Sequence, residues 1–237
     1  MSRIETAFLF DLDGTLVDSV YQHVLAWREA LDHEGIDLSV WRIHRRIGMS
    51  GALFTNMLLR ETGLAISSEL VERLRERHAE AYTRHRHQVR PLPGARELLN
   101  YLTEIGNPWA VATSGRMETA KLNLDALGID PAVVPVVTRD QVKYAKPDPD
   151  LFLAAVDRLG AKIEHSVVIG DSIWDMLAAH RARPLALDYC PAVTGRRNSS
   201  VLVPHGFTKI PPTCSGILMK SVVVAKSIVA PEESTAR

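Results

Sequence analysis

Net charge, cysteine and long apolar runs are what this sequence has least of, and each shortage narrows the possibilities. Its 28 Lys and Arg residues are matched by 28 Asp and Glu. There is no overall basic field to hold nucleic acid and no acidic tail, so an anionic ligand must be bound by local groups. The two cysteines, Cys190 and Cys214, have neither C-x-x-C spacing nor His partners at zinc-ligand intervals. They argue against a disulfide framework or a zinc site and read as incidental thiols. No apolar run reaches membrane length, and the opening MSRIETAFLF has too short an apolar run and too early an acid for a signal peptide. A cytoplasmic address without a membrane partner is the expectation. What the chain does have is size: 237 residues, 46% of them hydrophobic, enough for a real core in one domain or two small ones.

The organising stretch comes early, in FLFDLDGTLVDS. An apolar run with the character of a buried strand breaks into two carboxylates, Asp11 and Asp13, followed by Gly14 and Thr15. In a strand the two acids share one side of the pleat, and a turn at Gly14 also lets the Asp13 carbonyl face inward. Two like charges this close call for a cation or a shared proton. A strand followed by an Asx-rich turn is the plainer reading, and D-x-D alone leaves it open.

Beyond Asp18 the pattern is helical, with helices expected over residues 21–34, 40–47, 52–62 and 68–85 and no strand signal between them. About seventy such residues are too many for a connection and read as an inserted domain. The run Arg73, Arg75, Arg77, Arg84, Arg86 and Arg90 in it reads as a solvated helix face. From Pro91-Leu92-Pro93-Gly94 onward helix and strand alternate: a helix through Leu98 and Leu102, a strand at 109–112, a helix at 117–127, a strand at 133–137 broken by Pro135, a helix at 151–159 and a strand at 166–169. This rhythm predicts an α/β fold with a Rossmann-like parallel sheet covered by helices on both faces, plus an inserted α-helical cap. The expected division is 1–17 and 91–189 for the discontinuous core, 18–90 for the cap and 190–237 for a divergent tail. In such sheets ligands bind beyond the carboxyl ends of the strands. Asp11, Asp13, Ser114 and Asp171 all fall there, and Lys146 lies in the loop before the helix at 151–159.

The four segments FDLDGT, ATSG, the lysine of AKPDPDLF and VIGDSIWD resemble, in order and spacing, the four motifs of the haloacid-dehalogenase-like hydrolases, over about residues 5–182. The resemblance implies a magnesium-dependent hydrolase of a small phosphomonoester. In it Asp11 is the nucleophile that becomes an aspartyl-phosphate, and Asp13 is the acid and base for the alcohol and the water. Asp11, Asp171 and the carbonyl of Asp13 would hold Mg2+. Ser114, the Gly115 and Leu12 amides and Lys146 would hold the phosphoryl oxygens, and Asp175 would orient Lys146 or nearby water. Each has a plainer alternative: Lys146 an exposed turn residue, Ser114 a helix N-cap, Asp171 and Asp175 an acidic first turn.

An acid at Asp13 points away from dehalogenation, since dehalogenases of this family lack it. The insert looks like the cap of phosphoglycolate-phosphatase and β-phosphoglucomutase relatives, and His23 and Trp27 resemble the mutase's hinge-side segment. A sugar phosphomutase is therefore the alternative, although Gly51 stands where the mutase has an arginine for a second phosphate. A catalytically impaired relative is a third reading. It rests on the unusual sequence after Ala182, which would leave a sheet edge bare unless 185–187 supply a short strand. The expected partner is a small phosphorylated metabolite; oligomeric state is left open, a monomer included.

Overall fold

The computed structural model describes residues 6–63, 67–184 and 186–189. The tail expected at 190–237, with both cysteines, lies outside them.

The chain opens with β1 (Ala7–Phe10), whose four residues are all buried. The next element, β2 (Val17–Asp18), leads into four helices: α1 (Val20–His33), α2 (Val40–His44), α3 (Gly51–Thr62) and α4 (Ser68–His85). Then β3 (Arg90–Pro91) returns the chain to alternation: α5 (Ala95–Glu104), β4 (Trp109–Ala112), α6 (Met117–Leu127), β5 (Val136–Val137), α7 (Asp150–Leu159), β6 (Ser166–Gly170), α8 (Ile173–Ala182) and β7 (Ala186–Tyr189). The main sheet is parallel with strand order β5-β4-β1-β6-β7, so β1 is its centre.

A central strand buried on both faces divides its side chains between two cores. Phe8 and Phe10 join Val111, Val167 and Ile169 on the face covered by Leu98 and Leu102 of α5 and by Ala120 and Leu124 of α6. Leu9 joins Ala110, Ala112 and Val168 on the other face, under Phe152 and Ala155 of α7 and Ala178 and Ala179 of α8. The insert has a third core of its own, built on Val24, Trp27, Leu31, Phe54, Leu58 and Leu74. Serine caps start two of its helices: Ser50 Oγ accepts from the Leu53 amide and Ser67 Oγ from the Leu70 amide.

The structure departs from the sequence expectations in four places. Residues 18–90 are not bounded by helix alone: β2 pairs antiparallel with β3, Val17 opposite Pro91 and Asp18 opposite Arg90, tying the exit of the insert to its return. Two-residue strands leave no periodicity to read. The strand expected at 133–137 shrinks to β5, because Pro135 has no amide for the ladder and contributes only its carbonyl, to the Val111 amide at 3.0 Å. The edge expected to be bare beyond 166–169 is paired with β7, Val168 opposite Leu187, one to two residues later than the substitute strand at 185–187. The arginine run is only partly a solvated face. Arg73 and Arg77 both pair with Glu34 and Arg84 with Glu29, bracing α4 against α1, while Arg75 reaches the cavity described below.

Candidate active site

The ladder runs one residue past β1. The Asp11 amide donates to the Ile169 carbonyl at 2.9 Å, which fixes its carboxylate at the carboxyl end of the sheet beside the end of β6. The chain then coils tightly, the Leu16 and Val17 amides both donating to the Leu12 carbonyl, at 2.9 and 3.1 Å. Gly14 permits this with φ +87°, and a Cβ there would collide with Asp171 Oδ2. The glycine is what lets the acid after β6 approach the acids after β1.

Asp11, Asp171 and Asp175 offer carboxylate oxygens within 4.8 Å of one another. Thr15 Oγ1 stands between the first two, 3.5 Å from Asp11 Oδ2 and 3.3 Å from Asp171 Oδ1. Among the described residues the Lys146 ammonium is the one cation paired with them: it pairs with Asp11 Oδ1 and lies 2.7 Å from Asp175 Oδ1, with none of its side chain exposed. An exposed turn residue is thereby excluded for Lys146. Asp175 does two jobs. Its Oδ2 takes the Ser172 amide at 3.1 Å and the Ser172 hydroxyl at 2.5 Å, in a capping box that starts α8, and its Oδ1 faces Lys146. Burial pushes the Asp11 carboxyl up, Asp175 and Asp13 push further, and Lys146 pulls only partly back. Asp171 rises for the same reasons, burial first and then Asp11 and Asp175. Three carboxylates against one ammonium is an excess of negative charge, and an all-oxygen donor set suits a hard divalent cation such as Mg2+.

Asp13 sits in a different environment. Its Oδ1 accepts from Ser19 Oγ at 2.6 Å, Asn123 Nδ2 at 2.6 Å and His23 Nε2 at 3.1 Å. Burial raises this carboxyl, but His23, Ser19 and Lys146 together outweigh burial and hold it below its usual range. Because an ionised carboxylate only accepts, His23 Nε2 carries a proton, and His23 Nδ1 lies within hydrogen-bond distance of His78 Nε2, at 3.1 Å. His23 stacks on Tyr82 with ring centroids 3.9 Å apart, and His78 stacks on Trp27 at 4.3 Å.

Asp11 and Asp13 open onto a cavity of about 310 Å³. The insert supplies one wall, with His23, Trp27, Phe54 and His78 together with Arg46, Gly51 and Arg75; the loop after β4 supplies Thr113, Ser114 and Gly115. The Ser114 hydroxyl is buried there without a partner among the described residues. It does not cap α6, whose N-cap is Arg116. The Gly115 amide donates to Thr113 Oγ1 at 3.0 Å. The loop of the insert that carries Gly48 and Ser50 rests on the core: the Ser50 amide donates to the Lys146 carbonyl at 3.2 Å, and a Cβ on Gly48 would come within 2.7 Å of Ser172 Oγ.

Asp11, Asp13, His23, Trp27, Ser114 and Gly115 line this cavity, Lys146, Asp171 and Asp175 lie at its acidic floor, and the Leu12 side chain is in the core. Sequence reasoning passed over Thr15, Ser19, His78, Tyr82 and Asn123. Thr15 and Ser19 sit within the first motif and were readable as its hydroxyls. Nothing local marks Asn123, which meets Asp13 from α6, or Tyr82, which meets Asn123 from α4.

The haloacid dehalogenase-like hydrolase family model matches residues 5–183. The chain belongs to that family. It is 32% identical to hexitol phosphatase A of Escherichia coli (strain K12) over 210 residues, covering 87% of this chain and 93% of that one. To fructose-1-phosphate phosphatase YqaB of the same organism it is 31% identical over 193 residues, covering 76% and 94%. The crystal structure of a hydrolase from Pseudomonas syringae superposes with a TM-score of 0.74 at 51% identity, covering 79% of this chain and 95% of that one. The expected fold class and the phosphatase class of enzyme follow from the family match and from curated relatives that are phosphatases. Among the described residues no helix is long and apolar enough to cross a membrane.

Proposed function

We propose that this protein is a magnesium-dependent phosphatase of a small sugar or polyol phosphate, working through phosphorylated Asp11. One observation carries the reading: the cavity joins a buried carboxylate, Asp11, to a buried hydroxyl, Ser114, that has no partner among the described residues. A phosphoryl group supplies both needs, an electrophile for the first and an acceptor for the second. The aromatic wall from the insert suits the C–H faces of a polyol or sugar, and the two curated relatives named above act on a hexitol phosphate and on fructose 1-phosphate by their names.

The residues fit the metal. Asp11, Asp171 and the Asp13 carbonyl would hold it, with Asp175 beside them; bound there, Mg2+ would offset repulsion between the nucleophile and the phosphate dianion. The chain's own groups do the rest. An Asp11 oxygen attacks phosphorus, the bond from phosphorus to the alcohol oxygen breaks, and Asp13 gives that oxygen a proton. Water then attacks the phosphorylated Asp11 while Asp13 takes back a proton, releasing phosphate and restoring both acids. Ser114 and Lys146 hold the phosphoryl oxygens that do not react. Residues 18–90 act as a cap that closes on the sheet's carboxyl edge, the Ser50 to Lys146 bond being part of the closed contact.

The mutase reading lacks support. Each of the two arginines that the insert brings to the cavity has a carboxylate partner, Arg46 with Glu61 and Arg75 with Glu72, which lowers the net positive charge offered to a second phosphate. The impaired-enzyme reading drew on the sequence after Ala182, most of which lies outside the described residues, and the site is assembled without it. The test is a phosphomonoester panel assayed with Mg2+, with p-nitrophenyl phosphate, fructose 1-phosphate and hexitol phosphates included. Release of free phosphate is expected, and Asp11→Asn should abolish it. Full activity in that variant would sink the mechanism.

A further inference from the structure

Asn123 and Tyr82 have no part in holding phosphate or metal, yet both are buried, Asn123 against Asp13 and Tyr82 against Asn123. Asn123 Nδ2 donates to Asp13 Oδ1 at 2.6 Å, and the Tyr82 hydroxyl donates to Asn123 Oδ1 at 2.7 Å. The direction of this chain is forced. A carboxylate only accepts, so Asn123 must present its NH2, and its carbonyl is left to face Tyr82, whose one proton then points at it. A reversed amide would set a carbonyl oxygen against a carboxylate.

The consequence lies on the other Asp13 oxygen. Oδ1 already has three donors, from Ser19, His23 and Asn123. Among the described residues none reaches Oδ2, and a side chain begun on Gly115, at the cavity wall, would start 3.9 Å from it. A proton on Asp13 can therefore reside only on Oδ2, the oxygen facing the loop that carries Ser114.

We infer that Asn123, oriented by Tyr82, is a positioning residue that fixes Asp13 through Oδ1 and so dedicates Oδ2 to the proton of the leaving alcohol. This rests on the phosphatase reading above. In the step concerned the bond from phosphorus to oxygen breaks, its electron pair stays on the alcohol oxygen, and the proton on Oδ2 moves there to give alcohol and carboxylate. Tyr82 belongs to α4 and Asn123 to α6, so the aim of the acid depends on the insert meeting the core.

The test is how kcat/KM depends on the leaving group, because kcat/KM reports only the steps through alcohol release. Phenyl phosphate and 2,4-dinitrophenyl phosphate share an aryl ring, but only the phenyl ester needs an acid, and each is compared with the unsubstituted chain on the same ester. In Asn123→Leu the phenyl ester should lose about 30- to 100-fold, while the dinitrophenyl ester changes by no more than about threefold. Tyr82→Phe keeps the ring stacked on His23 and should shift the ratio the same way by about 3- to 10-fold; it carries the test if Asn123→Leu does not fold. Equal losses on both esters, or no loss, would mean a merely structural role and overturn the inference alone. No turnover of either ester by the unsubstituted chain would overturn the parent reading and this one with it.

Discussion

The two acids of the first motif stand two residues apart in opposite surroundings. On the floor, Asp11 shares one lysine with Asp175, close beside Asp171, and burial together with crowded negative charge raises its carboxyl. On the wall, Asp13 meets neutral or weakly basic donors from Ser19, His23 and Asn123, and its carboxyl is held low. The difference is a division of labour: the floor is built to take up positive charge, whereas the wall is built to aim one oxygen. A site with two floors would repel its substrate, and one with two walls would have nothing to hold a metal.

Removing the floor's only cation should do the most damage. Lys146→Met leaves two buried carboxylates, Asp11 and Asp175, without their cation, and urea unfolding should show a loss of about 3–5 kcal/mol along with loss of turnover. Next is the metal. Millimolar Mg2+ should raise the unfolding free energy of the active protein by about 1–3 kcal/mol through binding the folded form alone, and chelation should reverse it; Asp171→Asn should remove the increment. If Mg2+ stabilises Asp171→Asn as much as the unsubstituted chain, the floor is not the binding site.

The wall has its own signature in acid. Burial first, and then His23, push His78 well below the ordinary histidine value of 6.5. The unfolded chain therefore binds the proton first. The stability tied to neutral His78 is fully present above 6.5 and is lost as pH falls from there toward the lower folded value. Between about pH 7.5 and about pH 5.5 the unsubstituted chain should lose about 1 kcal/mol more than His78→Phe, which retains an aromatic ring against Trp27. Matching losses, followed by urea midpoints, would count against a neutral buried His78. The smallest effect lies away from both regions. Glu34→Gln breaks two partly exposed ion pairs, to Arg73 and Arg77, and should cost no more than about 1 kcal/mol, less in high salt.

The floor was far more legible in the sequence than the wall. Asp11 and Asp171 each follow a short buried apolar strand, and that local break from apolar to acid marks them without any partner being known. Helices 68–85 and 117–127 were equally plain, since their period and their caps are local, and both agree with the structure. The donors on Asp13 were not. Ser19 and His23 lie within ten residues of it, but Asn123 is 110 positions away and Tyr82 reaches it only through Asn123. An asparagine inside an ordinary amphipathic helix gives no sign of what it will face. The β2–β3 ribbon escaped notice for a similar reason, being too short to have a period and defined only by pairing across the whole insert.

The claim at the centre of this account is that Asp11 takes the phosphoryl group and Asp13 governs its arrival and departure. Asp13→Asn supplied with 2,4-dinitrophenyl phosphate and Mg2+ isolates it, because this ester needs no acid to leave while the later attack of water still needs a base. Acid quenching, borohydride reduction and peptide mapping then report where the phosphoryl group sits. The account predicts homoserine at position 11, formed as dinitrophenolate is released. Release of dinitrophenolate with Asp11 unmodified would contradict it.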